Sequence, residues 1–377
     1  MPDRRARIGI VGAGFWAVDF YLPFLEAHPH AMCVGVVRPG EAELAALKTR
    51  FDLEVATESV DRLLDAGCDG IVVASPHALH AEHATRALRR GCHVLVEKPM
   101  ALTVEQARAI ESAVAETGMS LSVAHGFNYL AMSAWAIDLV AAGTIGRPLL
   151  ITGHMASSLT TLLAGQSGYG RVEIEGVTFE AEANTWANAR RGGGYLYGQL
   201  SHLLGLALAF VEAPPRDVFA RTRQLPNGVD IDVAVSVGFA DETVGSFTGS
   251  GGMPWGVRYP LDVRVIGEEG ILNLDLDRER ADAYVGPSST PADFEWGGEK
   301  AFAGRPPDFA YPARAGDGLY TCAGPAEYLI GRCRGEDPRN RAPIGLGVRA
   351  TAILEAAAAS AESGRSVRAT EAEQPAG

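Results

Sequence analysis

The feature that most limits this chain is the run Gly12-Ala-Gly14-Phe-Trp-Ala17, which follows the apolar stretch Arg7-Ile-Gly-Ile-Val11 and opens an amphipathic segment. In that context Gly12 permits a tight turn from strand to helix. Gly14 leaves the backbone bare for a pyrophosphate, and the helix N-terminus supplies amide donors with a partial positive charge. The spacing G-x-G-x-x-A is weak evidence in isolation, but after a first strand it demands a parallel sheet with helices to follow.

The chain continues in that way. Strand-like MCVGVV, DGIVVAS and HVLVE alternate with helical stretches beginning near Glu41, running from Ala78 to Arg90, and beginning at Thr103. The rhythm predicts a doubly wound α/β domain of the Rossmann type over residues 1–125, its short all-apolar strands covered on both faces. At 377 residues the chain exceeds what one hydrophobic core supports, so a second domain over 126–377 is expected.

That second half changes period. In VDIDVAVSVGF, Val229, Ile231, Val233, Val235, Val237 and Phe239 fall on one strand face, while Asp230, Asp232, Ala234, Ser236 and Gly238 fall on the other. TVGSFTGS, LDVRVIG and GILNLDLD follow, with Gly267-Glu-Glu-Gly270 as a turn, so an α+β domain with a largely antiparallel, meander-like open sheet is predicted. Its small-residue outer face suits a homodimer or homotetramer contact. Residues 286–318 read as an irregular surface loop. VRATAILEAAAASAESGR reads as a helix ending near Gly364 that can pack back towards the first domain.

A net charge of −13 repels phosphate backbones and anionic lipid, which argues against nucleic acid. No apolar run of about 18 residues stands out as a membrane span. The basic leader of MPDRRARIGIVGAGFWA imitates a signal peptide, but its apolar part is the glycine loop, so export is not expected. Five scattered cysteines without a CxxC pair point to neither a disulfide framework nor zinc, and fit a cytoplasmic protein.

Five segments together resemble one family, the glucose-fructose oxidoreductase and inositol dehydrogenase family (Gfo/Idh/MocA). They are IGIVGAGFWA at 8–17, ASPHALHAEHATRALRRGCHVLVEKPMALTVEQA at 74–107, GFNY at 126–129, GTIGRP at 143–148 and GGGYLYGQLSH at 192–202. The Glu97-Lys98-Pro99 stretch is the most specific. The resemblance implies an NAD(P)-dependent oxidoreductase acting on a secondary alcohol of a sugar, cyclitol or glycoside. It implies that Lys98 lies beside the nicotinamide and contacts the substrate hydroxyl. A cation suits that place because charge builds on the alcohol oxygen as hydride leaves. It also implies Pro99 after a cis bond, His202 as the proton-exchanging group, and Ser75, Pro76 and His77 along the cofactor crevice.

The cofactor set is thus Gly12, Gly14, Phe15, Trp16, Arg38, Ser75, Pro76, His77, Glu97 and Lys98. Arg38, where the second strand ends, cannot accept from ribose hydroxyls but can pair with a 2′-phosphate or stack on adenine, which favours NADP slightly over NAD. The substrate set is Lys98, Asn128, Trp186, Tyr197 and His202, with the aromatic rings stacking on a sugar. Two departures stand out. The family's acids one turn before and after the histidine are Gly198 and Gly205 here, with Tyr195, Tyr197, Gln199 and Glu182 as candidate replacements. The arginine often found two residues past Asn128 is Leu130.

His77-Ala-Leu-His80-Ala-Glu-His83 crowds three imidazoles, but matches no zinc motif, and no metal is expected. Arg190-Arg191 can meet an anionic group or lie in a solvated loop. Two other functions fit the same residues: a cofactor-retaining glycosidase that works by transient oxidation and elimination, or a silent cofactor-binding subunit.

Overall fold

The computed structural model describes residues 4–166, 168–286, 302–304 and 322–369. Six strands form the first sheet: β1 (Ala6–Val11), β2 (Ala31–Val37), β3 (Val55–Thr57), β4 (Gly70–Val73), β5 (His93–Val96) and β6 (Leu121–Val123). All pair in parallel in the order β3-β2-β1-β4-β5-β6. The order reverses between β1 and β4, so a crevice opens beyond their C-terminal ends, where this fold class binds ligands. β3 and the short helix Val60–Leu64 were not read from the sequence; three and five residues are too few to show a period.

The last crossover helix of this sheet is held by both its ends. Thr103 accepts from the Gln106 amide while Gln106 Oε1 accepts from the Leu102 amide, starting the helix Val104–Thr117, and Gly118 at φ 67° stops it. The segment after the glycine loop begins with a π-turn, Ala17–Tyr21, before the α-helix Leu22–Ala27.

The second sheet has nine strands and is mixed. Its members are β7 (Pro148–Ala156), β10 (Pro215–Gln224), β11 (Asp230–Phe239), β12 (Val244–Ser250), β13 (Leu261–Gly267), β14 (Gly270–Asp275), β15 (Arg280–Val285), β16 (Phe302–Gly304) and β17 (Val367–Arg368), while β8 (Arg171–Ile174) and β9 (Val177–Glu180) form a separate hairpin. The expected meander is interrupted. β7 inserts between β13 and β12 and runs parallel to β12, a non-local pairing that hydrophobic alternation cannot announce. Within the predicted loop at 286–318, β16 pairs with β15; the remainder lies outside the described residues.

The β11 alternation is as predicted: its six apolar side chains from Val229 to Phe239 are all at most 4% exposed. They face the helices Ser201–Ala207 and Ile344–Ser363 in one core. The outer face carries Ala234 and Ser236 beside exposed Phe219, Val244 and Ile271.

Two late helices return towards the first sheet. Ala326, Leu329 and Ile330 of Ala323–Cys333 join Ile8, Ile10 and Val72. On Ile344–Ser363, Gly347 meets Met100 and Val123, and Glu355 accepts from the Val104 amide at 2.8 Å. By length and composition Ile344–Ser363 could cross a membrane, contrary to the sequence expectation, but 61% of its apolar window is buried within the protein.

Candidate active site

The site grows from four strand ends, those of β1, β2, β4 and β5. After β1, Gly12 takes φ 97° and presses on the Ser75 backbone; a Cβ there would lie 2.2 Å from the Ser75 nitrogen, so only glycine fits. A Cβ at Gly14 would meet nothing within 4 Å, which leaves an open cradle at the start of the helix. These residues fit a dinucleotide's pyrophosphate.

At the end of β2 the Arg38 guanidinium donates to the Ala13 carbonyl at 3.0 Å and the Pro39 carbonyl at 2.9 Å. It reaches Glu43 at 3.4 Å and lies 4.9 Å from the Phe179 ring centre. After β4 come Ser75 and Pro76, with the Ser75 backbone packed on Gly12. His80 lies between the Ser75 and Pro99 carbonyls, with Nε2 at 2.6 Å from the first and Nδ1 at 2.7 Å from the second; burial lowers its pKa to about 4, against the opposing pull of both carbonyls. His83 Nδ1 lies 2.9 Å from Ser75 Oγ. His80 and His83 thus both contact Ser75, while His77 faces the Gly192 carbonyl.

After β5 comes Glu97-Lys98-Pro99, with a cis bond before Pro99. Glu97 Oε1 accepts from Trp16 Nε1 at 2.8 Å and from the Tyr21 hydroxyl at 2.7 Å; burial nevertheless raises its pKa, outweighing the Lys98 charge and those donors. Trp16 and Glu97, both assigned to the cofactor from sequence, are thus hydrogen-bonded to each other. Lys98 is 8% exposed, donates to the Gly198 carbonyl at 2.8 Å, and lies 5.3 Å from the Trp186 ring centre. Burial pulls its pKa down to about 8, against the opposing pull of Glu97.

Around this ammonium stand three buried imidazoles. His77 is bonded through Nδ1 to the Gly192 carbonyl at 2.9 Å, and burial, then His80 and Lys98, lower its pKa to about 3. His202, on the helix Ser201–Ala207, is 5% exposed and lies edge-on to Phe127; burial, then Lys98, His125 and His77, hold its pKa well below the usual histidine range. Lys98 and His202, from segments about a hundred residues apart, are therefore within electrostatic reach of each other. The third imidazole, His125, was missed. It follows β6 at the same sheet edge as Lys98, which was the available clue.

The two glycines in place of acids are explained by what fills their space. A Cβ at Gly198 would come 2.4 Å from Trp186 Cζ3, and one at Gly205 would come 2.2 Å from His125 Nδ1. An indole and an imidazole occupy the volume where carboxylates were expected. Of the candidate replacements, Tyr195 donates to the Met155 carbonyl at 2.7 Å, Tyr197 to the Leu102 carbonyl at 3.1 Å, and exposed Glu182 accepts from Thr185. Asn128 is fully buried and donates to the Gly205 and Arg341 carbonyls, stitching the β6 loop to the His202 helix.

That helix is itself anchored. Asp230 Oδ2 accepts from the Leu196 amide at 2.6 Å, and a Cβ at Gly194 would collide with its other oxygen. Arg190 lines an open cavity of about 600 Å³, with Asn184, Asn188 and Asn227, on the segment that carries Trp186.

Comparison with known proteins bears on the family and the fold. Residues 6–125 match the model described as "Oxidoreductase family, NAD-binding Rossmann fold", and residues 134–273 match the GFO/IDH/MocA C-terminal domain. Glucose-6-phosphate 3-dehydrogenase of Bacillus subtilis (strain 168) is 32% identical over 148 residues, 39% of this chain and 41% of that protein. Scyllo-inositol 2-dehydrogenase (NADP(+)) of the same organism is 27% identical over 204 residues, 54% of this chain and 53% of that protein. The matched stretches thus span about half the length of these curated relatives. The crystal structure of GenD2 from gentamicin A biosynthesis in complex with NAD superposes with a TM-score of 0.72 at 26% identity, covering 97% of this chain and 96% of that one.

Proposed function

The chain belongs to the Gfo/Idh/MocA oxidoreductase family, and from that premise we propose that it moves hydride between a secondary alcohol of a sugar, cyclitol or glycoside and the nicotinamide of NAD(P). The single observation that carries this reading is the buried Lys98 ammonium at the end of β5, with His202 near enough to feel its charge.

The bound nicotinamide supplies the hydride acceptor. Gly12 and Gly14 receive the pyrophosphate at the helix N-terminus, and Arg38 meets the adenosine end. Lys98 donates a hydrogen bond to the alcohol oxygen and stabilises the negative charge that develops there. His202, neutral before reaction, takes the hydroxyl proton. The alcohol thereby loses a hydride and a proton and becomes a ketone; reduction runs the same residues in reverse. Trp186 stacks on the sugar ring, with Tyr197 beside it. Asn128 acts from behind, since its amide is bonded to backbone.

We place the division between the cofactor domain and the substrate and oligomerisation domain near residue 125. Homo-oligomers would form through the outer sheet face, on which exposed Phe219, Val244 and Ile271 are the apolar contacts. Five cysteines without a disulfide support a cytoplasmic setting, and the negative net charge supports a small-molecule substrate and neither nucleic acid nor membrane as partner. The segment 168–192, which meets Arg38 through Phe179 and Lys98 through Trp186, favours a second reading, in which the cofactor stays bound and transient oxidation cleaves a glycosidic bond.

The test is a screen of sugars, cyclitols and glycosides with NAD and with NADP, followed by nicotinamide absorbance and by product analysis, repeated with Lys98→Ala. Turnover should drop by about 100-fold or more in the variant while cofactor affinity is kept. Undiminished turnover would remove Lys98 from the chemistry, and bond cleavage without net change in absorbance would select the second reading.

A further inference from the structure

We propose that residues 168–192 form a strap that keeps the dinucleotide in its crevice between turnovers, with the Arg171–Glu180 hairpin closing the adenosine end. The proposal rests on the NAD(P) reading above and adds a role for residues that the glycine motif does not include.

The strap leaves the second sheet after the helix Thr160–Leu163 and returns to it through the turn that starts the His202 helix. On the way it touches the first domain at two places. At the first, the Phe15 ring lies against Gly170, where a Cβ would come 2.4 Å from Phe15 Cε1, and the Phe179 ring receives the Arg38 guanidinium at 4.9 Å. Ile174 and Phe179 are 8% and 2% exposed and belong to the core of the first sheet, packed with Leu44, Leu47 and Phe51. At the second, Trp186 stands edge-on to His77 at 5.4 Å and 5.3 Å from Lys98 Nζ, while the Gly192 carbonyl holds His77 Nδ1 at 2.9 Å. Gly192 is wedged there, since a Cβ would meet Leu102 Cδ2 at 2.4 Å.

Arg38 and Lys98 mark the two ends of the path a dinucleotide takes across a crevice of this kind. One continuous segment is thus pinned at both ends of that path, by apolar burial at one and by a hydrogen bond and ring contacts at the other. Release of the nucleotide then requires the strap to come away, so the contacts at Phe179 and Gly170 set the off-rate more than the on-rate. An exposed surface hairpin with no such role would not place Phe179 and Ile174 inside the other domain's core.

The experiment uses the full chain loaded with NADH, chased by excess NAD in stopped flow, with NADH fluorescence as the readout. A parallel gel filtration asks whether NADH stays with the protein. Phe179→Ala and, separately, Gly170→Ala should raise the NADH off-rate at least tenfold, and NADH should co-elute with the wild type and not with either variant. Thr178→Ala, exposed on the same hairpin, should leave both readouts unchanged. If Phe179→Ala is too unstable to purify, Gly170→Ala still reads the same contact. Equal off-rates in the wild type and in a folded variant would overturn the strap. Failure of the wild type to bind either NADH or NADPH would instead overturn the nucleotide reading on which it stands.

Discussion

The Trp186 indole stands in the space that a side chain at Gly198 would need: a Cβ would lie 2.4 Å from Cζ3, and the Gly198 carbonyl accepts the Lys98 ammonium at 2.8 Å on the same side. The ring and the missing side chain therefore depend on each other. Gly198 lies in a helical turn, so alanine is tolerated by the backbone and the cost of Gly198→Ala is overpacking, roughly 1–3 kcal/mol. Relief by removing the ring distinguishes this from a general helix effect. In urea unfolding, Trp186→Ala combined with Gly198→Ala should be more stable than the sum of the single changes by about 0.5 kcal/mol or more. Strict additivity would show that the ring does not hold the glycine in place.

Lys98 carries its charge at a cost. Its folded pKa is about 8 against an ordinary 10.5, a depression caused first by burial. Because the folded value is the lower one, the site's contribution to stability is full above about 10.5, where the amine is neutral in both states, and is lost as pH falls through 8. Near neutral pH the penalty is of the order of 3 kcal/mol. Lys98→Met keeps the volume without the charge, so it should unfold at higher temperature than the wild type at pH 7, and the gap should close between pH 8 and pH 10.5. The oxidation proposed above should decline over the same rise through pH 8 as the ammonium is lost. Calorimetry of both proteins across that range checks the first statement; a variant whose advantage over the wild type is no greater at pH 7 than at pH 10 would contradict it.

What was legible in the sequence was whatever leaves a local signature. The glycine turn, the alternation of β11, the helix start at Thr103 and the Glu97-Lys98-Pro99 strand end depend on residues within a few positions of each other, and each stands where the sequence put it. What was not legible depends on residues far apart. Nothing local says that β7 enters the sheet beside β12, that His125 fills the space above Gly205, or that Trp186 covers Gly198. The two glycines were visible as departures, but a glycine states only that a side chain is absent. What takes its place is decided by packing between segments 12 and 80 residues away along the chain. Arg38 is a similar case, since its residue type suggested a phosphate partner while its actual contacts include an acid and an aromatic ring.

Arg38 also bears on which nucleotide is taken. Its Nη1 and Nε donate to the Ala13 and Pro39 carbonyls, and its remaining nitrogen faces Glu43 at 3.4 Å. Glu43 covers Gly40, where a Cβ would come 2.3 Å from Oε2, and Glu58 accepts from the Gly40 amide at 3.0 Å. The Glu43 carboxylate thus stands beside the Arg38 guanidinium and competes with a 2′-phosphate for it. Replacing that carboxylate by an amide of equal shape removes the competition and the repulsion without moving the loop. Glu43→Gln should therefore tighten NADPH several-fold relative to NADH, whereas Arg38→Ala should weaken NADPH more than NADH. Fluorescence titration of both reduced nucleotides against the wild type and the two variants reads the ratio directly. Because the carboxylate's effect is electrostatic and partly exposed, the Glu43→Gln gain should shrink as salt is raised from 50 to 500 mM. A ratio unchanged by either substitution would mean that the end of β2 does not read the ribose.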